Sequence, residues 1–524
     1  MRRAGAPALL ALAAILALAG ALRFAQLDRQ GLLLFDEGQL ILEARGAGAL
    51  ARALGSAVAG QPGGREALAA EIRNGRIAFG KPAHNLLLAL LLPSSRRADR
   101  ATLALSAAAG TLTILCVWLL ARAWHGEGVG LLAALLLAVS PYHILYSREG
   151  LSDALTVVFW TGALAVLNRP GTRAAAGSGA LAGLAVATNY RSLFLPALFA
   201  WLLWRERAAR ARRLVAWFAG FLLPLLAFEG AFRAALAGGG GARFPAGTYF
   251  GQLGELLSFH GSQGFGFGGW LAFGHYVWRW EGAASLAILL AVLPWQLARW
   301  RGADGAMNAA LLAPWLLFSA YWDNASRFFT LLLPLVAVAK ARWLAAAGGW
   351  VAGSIRLPAA ACRPVLPLVA AALLLRPALA LVPRPTPYLE AADLLARSWD
   401  PRHLSTNPRL GNAYFGNGAA VQFPLADSEV DKLRRAGWRW AVTDIQAFFG
   451  GFDRPEERLA TAVRTARFAK RVLEVPYGRI ALAQFILEQD LGFDDARALL
   501  AQVEAAGPTL HVYDLSAADG RRRR

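Results

Sequence analysis

The stretch Leu103–Leu120 reads LALSAAAGTLTILCVWLL and contains no charged side chain. It is close to the ~20 apolar residues that an α-helix needs to cross the hydrocarbon core of a membrane, so it predicts a transmembrane helix. The same character recurs along the chain, which indicates a protein that crosses the membrane many times. The other clear examples are Val129–Val139 with its flanks, Leu214–Phe232, Ala283–Leu297 and Leu366–Val382.

Composition supports an α-helical polytopic membrane protein. Of the 524 residues, 56% are hydrophobic and only 17% are charged, which is more apolar surface than a soluble core of this size could bury. The apolar pattern predicts about eleven crossings. They are placed at residues 8–26, 100–122, 128–146, 152–168, 176–188, 192–204, 213–232, 283–299, 306–322, 328–347 and 364–383.

The net charge of +20 at pH 7 raises the question of nucleic-acid binding. The arginines lie in short loops between apolar segments and form no basic domain with interleaved aromatic residues, which argues against nucleic acid as a partner. Basic loops of this kind stay on the cytoplasmic side of the cell membrane. With the amino terminus inside, everything after Pro383 faces outward, as do loops 27–99, 147–151, 189–191, 233–282 and 323–327.

Two steps of this topology have alternatives. The first apolar stretch, Pro7–Ala21, resembles a signal peptide, but no clear cleavage site precedes a soluble domain, so we favour a retained span. Residues 176–204 could form one bent helix, since each half is shorter than the ~17 residues usually required for a crossing. We keep two crossings because Arg173 and the Arg205–Arg213 cluster then both remain inside.

The character of the chain changes at Pro383–Pro387, which reads PRPTP and predicts a stiff linker. We therefore divide the chain into a transmembrane domain, 1–383, and a soluble extracytoplasmic domain, 384–524. Helical periodicity alternates with strand-like segments in the second part, which predicts a small α/β domain. The predicted helices are Tyr388–Ser398, Ser428–Ala436, Pro455–Ala469 and Asp494–Ala505, and the predicted strands are Trp438–Thr443 and Leu510–Tyr513.

Two adjacent carboxylates, Asp36 and Glu37, follow an apolar run just after the first span. An apolar setting at the membrane surface raises the pKa of a carboxyl group and suits a general base. The pair could equally cap the helix that begins near Gln39, because the helix dipole favours negative charge there. From the pair alone the two interpretations are even.

Further ionisable residues fall in or beside the outward loops. Each costs about 2.5–3.5 kcal/mol at membrane depth by insertion scales, so several on one side indicate a polar cavity. The position of any single ionisable residue is better explained by a long side chain whose charged end reaches the water at the membrane surface. Together the carboxylates could accept a proton and the cations could hold an anion, which suits a phosphate leaving group. These residues are Lys81, His84, Arg148, Asp153, Arg191 and Arg327.

In the order of these features the sequence resembles the type C membrane glycosyltransferases, in the branch of the protein O-mannosyltransferases and lipid A aminoarabinose transferases. The likeness covers about residues 8–347. Two positions depart from the family pattern: Ala83 replaces a second proline after Lys81-Pro82, and Gln39-Leu40 replaces an aromatic residue. The segments that carry the likeness are Asp36–Glu37, Lys81–Pro82 before Asn85–Leu88, Ser140–Glu149 leading to Asp153, Thr188–Arg191, and Ser326–Phe329 with Pro334.

The resemblance implies an enzyme that moves a sugar from a polyprenyl-phosphate donor to an acceptor protein, lipid or glycan at the outer face of the membrane, by one inverting displacement. It implies Asp36 as the catalytic carboxylate and Glu37 and Asp153 as its acidic companions. Lys81, Arg148 and Arg327 would contact the carrier phosphate. His84 and Arg191 complete the candidate substrate-binding set.

No cofactor is certain. Some relatives use a divalent cation, and carboxylates and imidazoles in the outward loops could supply its ligands, but no metal-spacing motif fixes them. The metal therefore stays unknown. The candidate ligands are Asp36, Glu37, Asp153, His84 and His260.

Two functions from other classes stay open. A transporter or flippase would also have many spans and intramembrane charges, but it predicts internal symmetry between two halves, which the sequence does not show. A non-catalytic scaffold of the same fold would use Asp36 and Glu37 only as helix caps. Retained folding with lost activity in Asp36→Asn would exclude the scaffold.

Overall fold

The structure is a computed structural model that describes residues 5–74, 81–94, 97–205, 210–240, 248–262, 264, 268–321, 323–354, 363–382, 385–424, 426–445, 469–489 and 493–516. Most of these residues are helical. The helices up to the end of the apolar part are α1 (Ala6–Phe24), α2 (Phe35–Val58), α3 (Gly64–Asn74), α4 (Pro82–Leu91), α5 (Ala98–His125), α6 (Glu127–Ala138), α7 (Pro141–Tyr146), α8 (Asp153–Leu167), α9 (Thr172–Thr188), α10 (Leu195–Trp204), α11 (Arg210–Gly238), α12 (Tyr249–Ser262), α13 (Ala272–Glu281), α14 (Ala283–Leu297), α15 (Gly302–Ala320), α16 (Leu333–Ser354) and α17 (Val365–Leu381).

Short 3-10 turns precede or follow several of these helices, at Leu27–Arg29, Leu92–Ser94, Tyr190–Phe194, Gly268–Leu271 and Ser326–Leu332. Within the described residues, four helical stretches are long and apolar enough to cross a membrane: Ala6–Arg29, Ala98–His125, Arg210–Gly238 and Ser326–Ser354. Several shorter apolar helices accompany them. A helix covers at least part of every predicted crossing, and the mostly helical, multi-pass membrane architecture is confirmed.

Residues 176–204 form two helices, α9 and α10. Asn189 separates them in an extended conformation, with φ −155° and ψ 114°. Its side chain accepts a hydrogen bond from the Arg191 backbone N–H at 3.2 Å, which starts the turn Tyr190–Phe194 that leads into α10. The break that two separate crossings require is therefore present.

Small residues hold α9 against α11. A Cβ on Gly179 would overlap the carbonyl oxygen of Trp217, and a Cβ on Gly220 would overlap that of Ala176. The Trp217 indole N–H also donates to the Ser178 hydroxyl at 3.3 Å. Glycine has no side chain and lets two backbones approach closely. At these positions α9 and α11 therefore lie closer together than helices that are kept apart by larger side chains.

Arg148 joins the carboxyl ends of the first and last helices of the apolar part. Its side chain is buried, and Nη1 donates to the carbonyl oxygens of Leu22, Arg23 and Ala25 at 3.2, 2.9 and 2.9 Å. Nη2 donates to the carbonyl oxygen of Val382 at 2.9 Å. The last carbonyls of a helix have no partner within the helix, so one guanidinium satisfies the ends of both α1 and α17.

The remaining chain, here called the C-terminal segment (residues 387–516), contains a five-stranded mixed sheet in the order β2-β1-β3-β5-β4. Strand β1 is parallel to β2 and β3, whereas β5 is antiparallel to β3 and β4. The strands are β1 (His403–Ser405), β2 (Ala420–Gln422), β3 (Trp440–Thr443), β4 (Lys470–Pro476) and β5 (Thr509–Asp514), and the helices are α18 (Pro387–Ala396), α19 (Pro408–Phe415), α20 (Asp427–Arg435), α21 (Arg479–Leu487) and α22 (Phe493–Ala506).

Both predicted strands of this segment are present, as are three of its predicted helices, which correspond to α18, α20 and α22. The fourth, Pro455–Ala469, lies outside the described residues except for Ala469, and so do Pro383 and Arg384 of the linker. The pattern did not predict α21. None of residues 481–487 is more than 3% exposed, and most of them share one hydrophobic core with the apolar helices. The C-terminal segment is therefore anchored in the core of the helical part.

Candidate active site

The residues predicted to do chemistry lie where helices begin. Asp36 is the second residue of α2, Lys81 directly precedes α4, and Asp153 is the first residue of α8. Arg191 and Arg327 lie in the turns that lead into α10 and α16. The amino end of a helix carries partial positive charge, so a site built from several such ends favours an anion.

The centre of this arrangement is an ion pair between Asp36 and Arg327. Arg327 Nη1 donates to Asp36 Oδ2 at 2.9 Å. The arginine side chain is only 6% exposed, whereas the aspartate side chain is 38% exposed. A nearly buried guanidinium is thus presented to a carboxylate that solvent or a substrate can reach.

Two more cations act on the same carboxylate. Burial alone would raise the pKa of the Asp36 carboxyl, but Arg327, Lys81 and Arg191 outweigh it and lower the pKa below its usual value. Burial lowers the pKa of the Lys81 ammonium, as do Arg191 and Arg327, against the opposing effect of Asp36 and Asp153. The five predicted residues are therefore close enough to interact, with three cations and two carboxylates, and Asp36 is ionised at neutral pH.

Both arginines lie close to one aromatic ring. The Arg191 guanidinium carbon lies 3.7 Å from the centroid of the Phe328 ring, and that of Arg327 lies 5.6 Å from it. Contact with an aromatic face orients a guanidinium while leaving its N–H groups free to bind an anion. A small cavity beside this ring is lined by Asp153, Thr156, Asn189, Arg191, Phe318, Phe328, Thr330 and Leu331.

Glu37 has a different environment from its neighbour Asp36. Its carboxylate is buried, and Oε2 accepts from the backbone N–H groups of Leu33 and Leu34 at 2.6 and 2.7 Å. Oε1 accepts from the backbone N–H of Gly150 at 2.6 Å. These bonds cap α2 and connect it to the loop before α8, so Glu37 stabilises the backbone conformation at Asp36.

Arg148 and His84 are not among the charged groups that face Asp36. The Arg148 guanidinium donates to helix-end carbonyls as described, and its Nε donates to Gln30 Oε1 at 3.1 Å. His84 is fully buried with Nδ1 3.1 Å from Asn85 Oδ1. Burial lowers the pKa of His84 to about 4, helped by the nearby Lys81 charge, so its imidazole is neutral at pH 7. Arg148 therefore contributes to the architecture, and His84 contributes no charge to the site.

The departure at Gln39 has a structural counterpart. Gln39 Nε2 donates to Glu43 Oε1 at 2.8 Å, and Asn85 Nδ2 donates to Glu43 Oε2 at 3.2 Å. Burial raises the pKa of the Glu43 carboxyl. This hydrogen-bonded chain joins α2 to α4 one to two turns beyond Asp36.

The C-terminal segment adds two charged residues that the sequence pattern did not predict. Glu488 follows α21 and contacts Arg327, with Oε2 3.4 Å from Nε and Oε1 accepting from the backbone N–H at 3.1 Å. The Arg409 guanidinium carbon lies 3.6 Å from the centroid of the Phe35 ring, beside Asp36. No motif links residues so distant in the chain. The one available signal was the short apolar run of α21 that ends in a carboxylate.

The described residues include no group of three or more His, Cys, Asp or Glu side chains placed to hold a metal ion. The side chain of His260, one of the candidate ligands, is not among those described.

Residues 82–230 match the family model of the dolichyl-phosphate-mannose-protein mannosyltransferases. The chain is similar to ArnT from Cupriavidus metallidurans in a crystal structure bound to undecaprenyl phosphate, with 14% identity, a TM-score of 0.58 and coverage of 96% of this chain and 97% of that one. The chain has the type C glycosyltransferase fold. The resemblance predicted from the sequence is confirmed.

A second type C fold extends the comparison. The archaeal oligosaccharyltransferase AglB from Archaeoglobus fulgidus, in complex with an inhibitory peptide and a dolichol-phosphate, is similar over 90% of this chain and 73% of that one, with 12% identity and a TM-score of 0.57. No curated protein sequence matches the chain. Asp36, Lys81 and Arg327 lie outside the stretch matched by the family model, so their assignment to a site rests on the geometry.

Proposed function

We propose that this protein is an inverting glycosyltransferase that moves a sugar from a polyprenyl-phosphate donor to a protein, lipid or glycan acceptor. The observation that carries the proposal is the Asp36–Arg327 pair, 2.9 Å apart, within a cluster that also contains Lys81 and Arg191. The presence of dolichol-phosphate and undecaprenyl phosphate in the similar AglB and ArnT structures supports a lipid phosphate as the donor's carrier.

The cations of the cluster would bind the phosphate of the donor. Arg327, Arg191 and Lys81 supply charge, and the amino ends of α2, α4 and α8 add partial positive charge on the same side. A guanidinium can bind two phosphate oxygens at once. When the sugar leaves the carrier, the negative charge that grows on the phosphate is stabilised by groups that are already in place.

Asp36 would act as the base. The acceptor hydroxyl attacks the anomeric carbon from the face opposite the phosphate, its proton passes to Asp36, and the bond between the anomeric carbon and the phosphate oxygen breaks with its electron pair on the phosphate. Arg327 lowers the pKa of Asp36 in the free protein. Once the phosphate shares that guanidinium, the carboxylate becomes more basic, so donor binding prepares Asp36 to accept a proton.

We also propose that Asp36 and residues 384–524 lie on the same, extracytoplasmic side of the membrane. Contacts of Glu488 and Arg409 support placing residues 384–524 on the side of the membrane that holds Asp36. With basic loops inside, that side is the extracytoplasmic one, the chain crosses the cell membrane about eleven times, and the acceptor arrives from outside. Addition of a protease to intact cells checks this orientation, because cleavage within the C-terminal segment requires that it be exposed outside.

Transfer of radiolabelled sugar from synthetic polyprenyl-phosphate donors by the purified protein tests the function. Asp36→Asn should lower the rate by about 10²- to 10⁴-fold, the contribution typical of a general base. The matched control is Asp28→Asn, whose carboxylate is 57% exposed and lies in the same loop. Absence of transfer across a broad range of donors and acceptors would contradict the proposal. Movement of an unmodified lipid across vesicles would then favour a flippase.

A further inference from the structure

Glu488 is a carboxylate that the C-terminal segment inserts between two parts of the helical domain. Its side chain is 1% exposed. Oε1 accepts from the Tyr146 hydroxyl and from the backbone N–H of Arg327, which is 161 positions away in the sequence. Oε2 faces the Nε edge of the same guanidinium at 3.4 Å.

We infer that Glu488 is a positioning residue of the active site, which holds Arg327 in the orientation that presents its outer edge to Asp36 and to the donor phosphate. This inference rests on the proposed function. It makes the C-terminal segment a contributor to the donor site in addition to any contact with the acceptor.

The contacts of Arg327 divide between two edges. Nη1 points to Asp36, and Nε together with the backbone N–H of the same residue faces Glu488. A phosphate that binds the Asp36 edge leaves the Glu488 edge unchanged. A long side chain held at one edge loses less conformational freedom when a ligand binds the other, which increases affinity through preorganisation.

Glu488 is itself fixed from two directions. The hydroxyl of Tyr146, at the end of α7, donates a hydrogen bond to Oε1. Helix α21, which immediately precedes Glu488 in the chain, is buried in the core of the apolar helices. A carboxylate on a mobile surface could not orient a guanidinium. The burial of α21 therefore gives a structural reason for the C-terminal segment to reach into the helical part.

The protonation of Glu488 sets how it acts. Burial raises the pKa of its carboxyl to about 8, against the lowering effect of Arg327 and the Tyr146 hydrogen bond, with Asp153 and Asp323 adding negative charge nearby. Near pH 7 a neutral carboxyl holds Arg327 through the hydrogen bond from its backbone N–H and through the contact of Oε2 with Nε. As the pH rises through about 8, the ionised form adds a negative charge beside Arg327 and so weakens the attraction of this guanidinium for a phosphate at its other edge.

The test measures binding of undecaprenyl phosphate to the purified full-length protein, alongside the transfer assay. Glu488→Ala should weaken binding about tenfold at pH 7, as expected for loss of one well-placed hydrogen-bond acceptor. Glu488→Gln retains an oxygen for Tyr146 and Arg327 and should stay within about threefold of the native protein. The native Kd should rise above pH 8, relative to Glu488→Gln, which carries no titrating group.

The matched control is Glu504→Ala. Glu504 Oε1 accepts from Arg279 Nη2 at 2.6 Å, so this contact also joins the C-terminal segment to the helical part but does not involve Arg327. Its Kd should equal that of the native protein. If Glu488→Ala does not fold, Tyr146→Phe removes the group that fixes Glu488 and should weaken binding by about threefold.

Equal weakening in Glu488→Ala and Glu504→Ala would overturn the inference, because both would then act by loosening the segment. An unchanged Kd in Glu488→Ala would overturn it as well. Native protein that binds undecaprenyl phosphate in the expected order of variants but transfers no sugar would overturn the proposed function and leave the positioning role intact. Native protein that does not bind this lipid would overturn both.

Discussion

Arg327 Nη1 lies 2.9 Å from Asp36 Oδ2, although the two residues are 291 positions apart in the sequence. The pair joins the first turn of α2 to the turn that precedes α16. Its partners differ in exposure, since the arginine is almost buried and the aspartate is partly open. The interaction therefore brings a partly exposed carboxylate and a nearly buried guanidinium together at one place.

The pH dependence of transfer should reflect this pair. Arg327, Lys81 and Arg191 lower the pKa of Asp36, so the carboxylate stays ionised, and the pair stays stabilising, as the pH falls below the usual aspartate value of 3.8. In Arg327→Gln the strongest of the charges that lower the pKa of Asp36 is lost, so the raising effect of burial is less opposed. We expect the acid limb of kcat at saturating donor to move up by about one pH unit or more.

The measurement is the transfer rate between pH 3.5 and 7, with folding checked at each pH. The exposed Arg301 supplies a control, because it is not among the cations that lower the pKa of Asp36, so Arg301→Gln should leave the acid limb in place. A limb that is identical in Arg327→Gln and the native protein would show that Asp36 is not the titrating group.

Glu37→Gln should destabilise the protein. The native carboxylate accepts three backbone N–H bonds at 2.6 to 2.7 Å, whereas an amide has one accepting oxygen and turns N–H groups toward the remaining donors. We expect a loss of about 2–4 kcal/mol in unfolding free energy, typical of unsatisfied buried donors. The thermal midpoint in detergent measures it, with the exposed Glu66 changed to Gln as control. An unchanged midpoint would contradict the capping role.

Arg148→Lys should lower stability without changing donor affinity in the folded fraction. An ammonium cannot reach the carbonyls at the ends of both α1 and α17, so several buried acceptors lose their donor. We expect a loss of about 2–4 kcal/mol in unfolding free energy. The thermal midpoint and the Kd for undecaprenyl phosphate separate the two effects, and exposed Arg173→Lys is the control. A much weaker Kd with an unchanged midpoint would return Arg148 to the phosphate-binding set.

Gly38→Ala should separate α2 from α19. A Cβ at Gly38 would lie 2.7 Å from the carbonyl oxygen of Arg409, where neither backbone can yield easily. We therefore expect a lower thermal midpoint and faster proteolysis of the C-terminal segment. Gly55→Ala in the same helix is the matched control, since a Cβ there meets nothing within 4 Å and should stabilise the helix by about 0.5–1 kcal/mol. Equal behaviour of the two variants would refute the close approach.

Much of the helical part could be predicted from local sequence. An apolar run such as Leu103–Leu120 has to be shielded from water whatever surrounds it, so hydropathy alone indicates a membrane helix. The strands at Trp440–Thr443 and Thr509–Asp514 follow alternation in the same local way. The order of motifs along the chain was enough to indicate the type C resemblance.

The different contacts of the two adjacent carboxylates could not be predicted from local sequence. Asp36 and Glu37 are adjacent, and the sequence did not indicate which of them takes part in catalysis and which caps the helix. Packing places Glu37 against three backbone N–H groups and Asp36 against Arg327. Neighbouring residues on a helix point in different directions, so the partner of each depends on what the rest of the fold brings to that side.

The sequence by itself determined the class of protein: its apolar segments, its basic loops and the chemical types of residue available to the candidate site. Tertiary structure alone decided that Arg148 satisfies the ends of α1 and α17 and that Glu488 reaches Arg327. Hydropathy is a property of each segment, whereas the role of a buried charge depends on which partners lie within hydrogen-bond distance. Those partners come from distant parts of the chain and are fixed only when the helices pack.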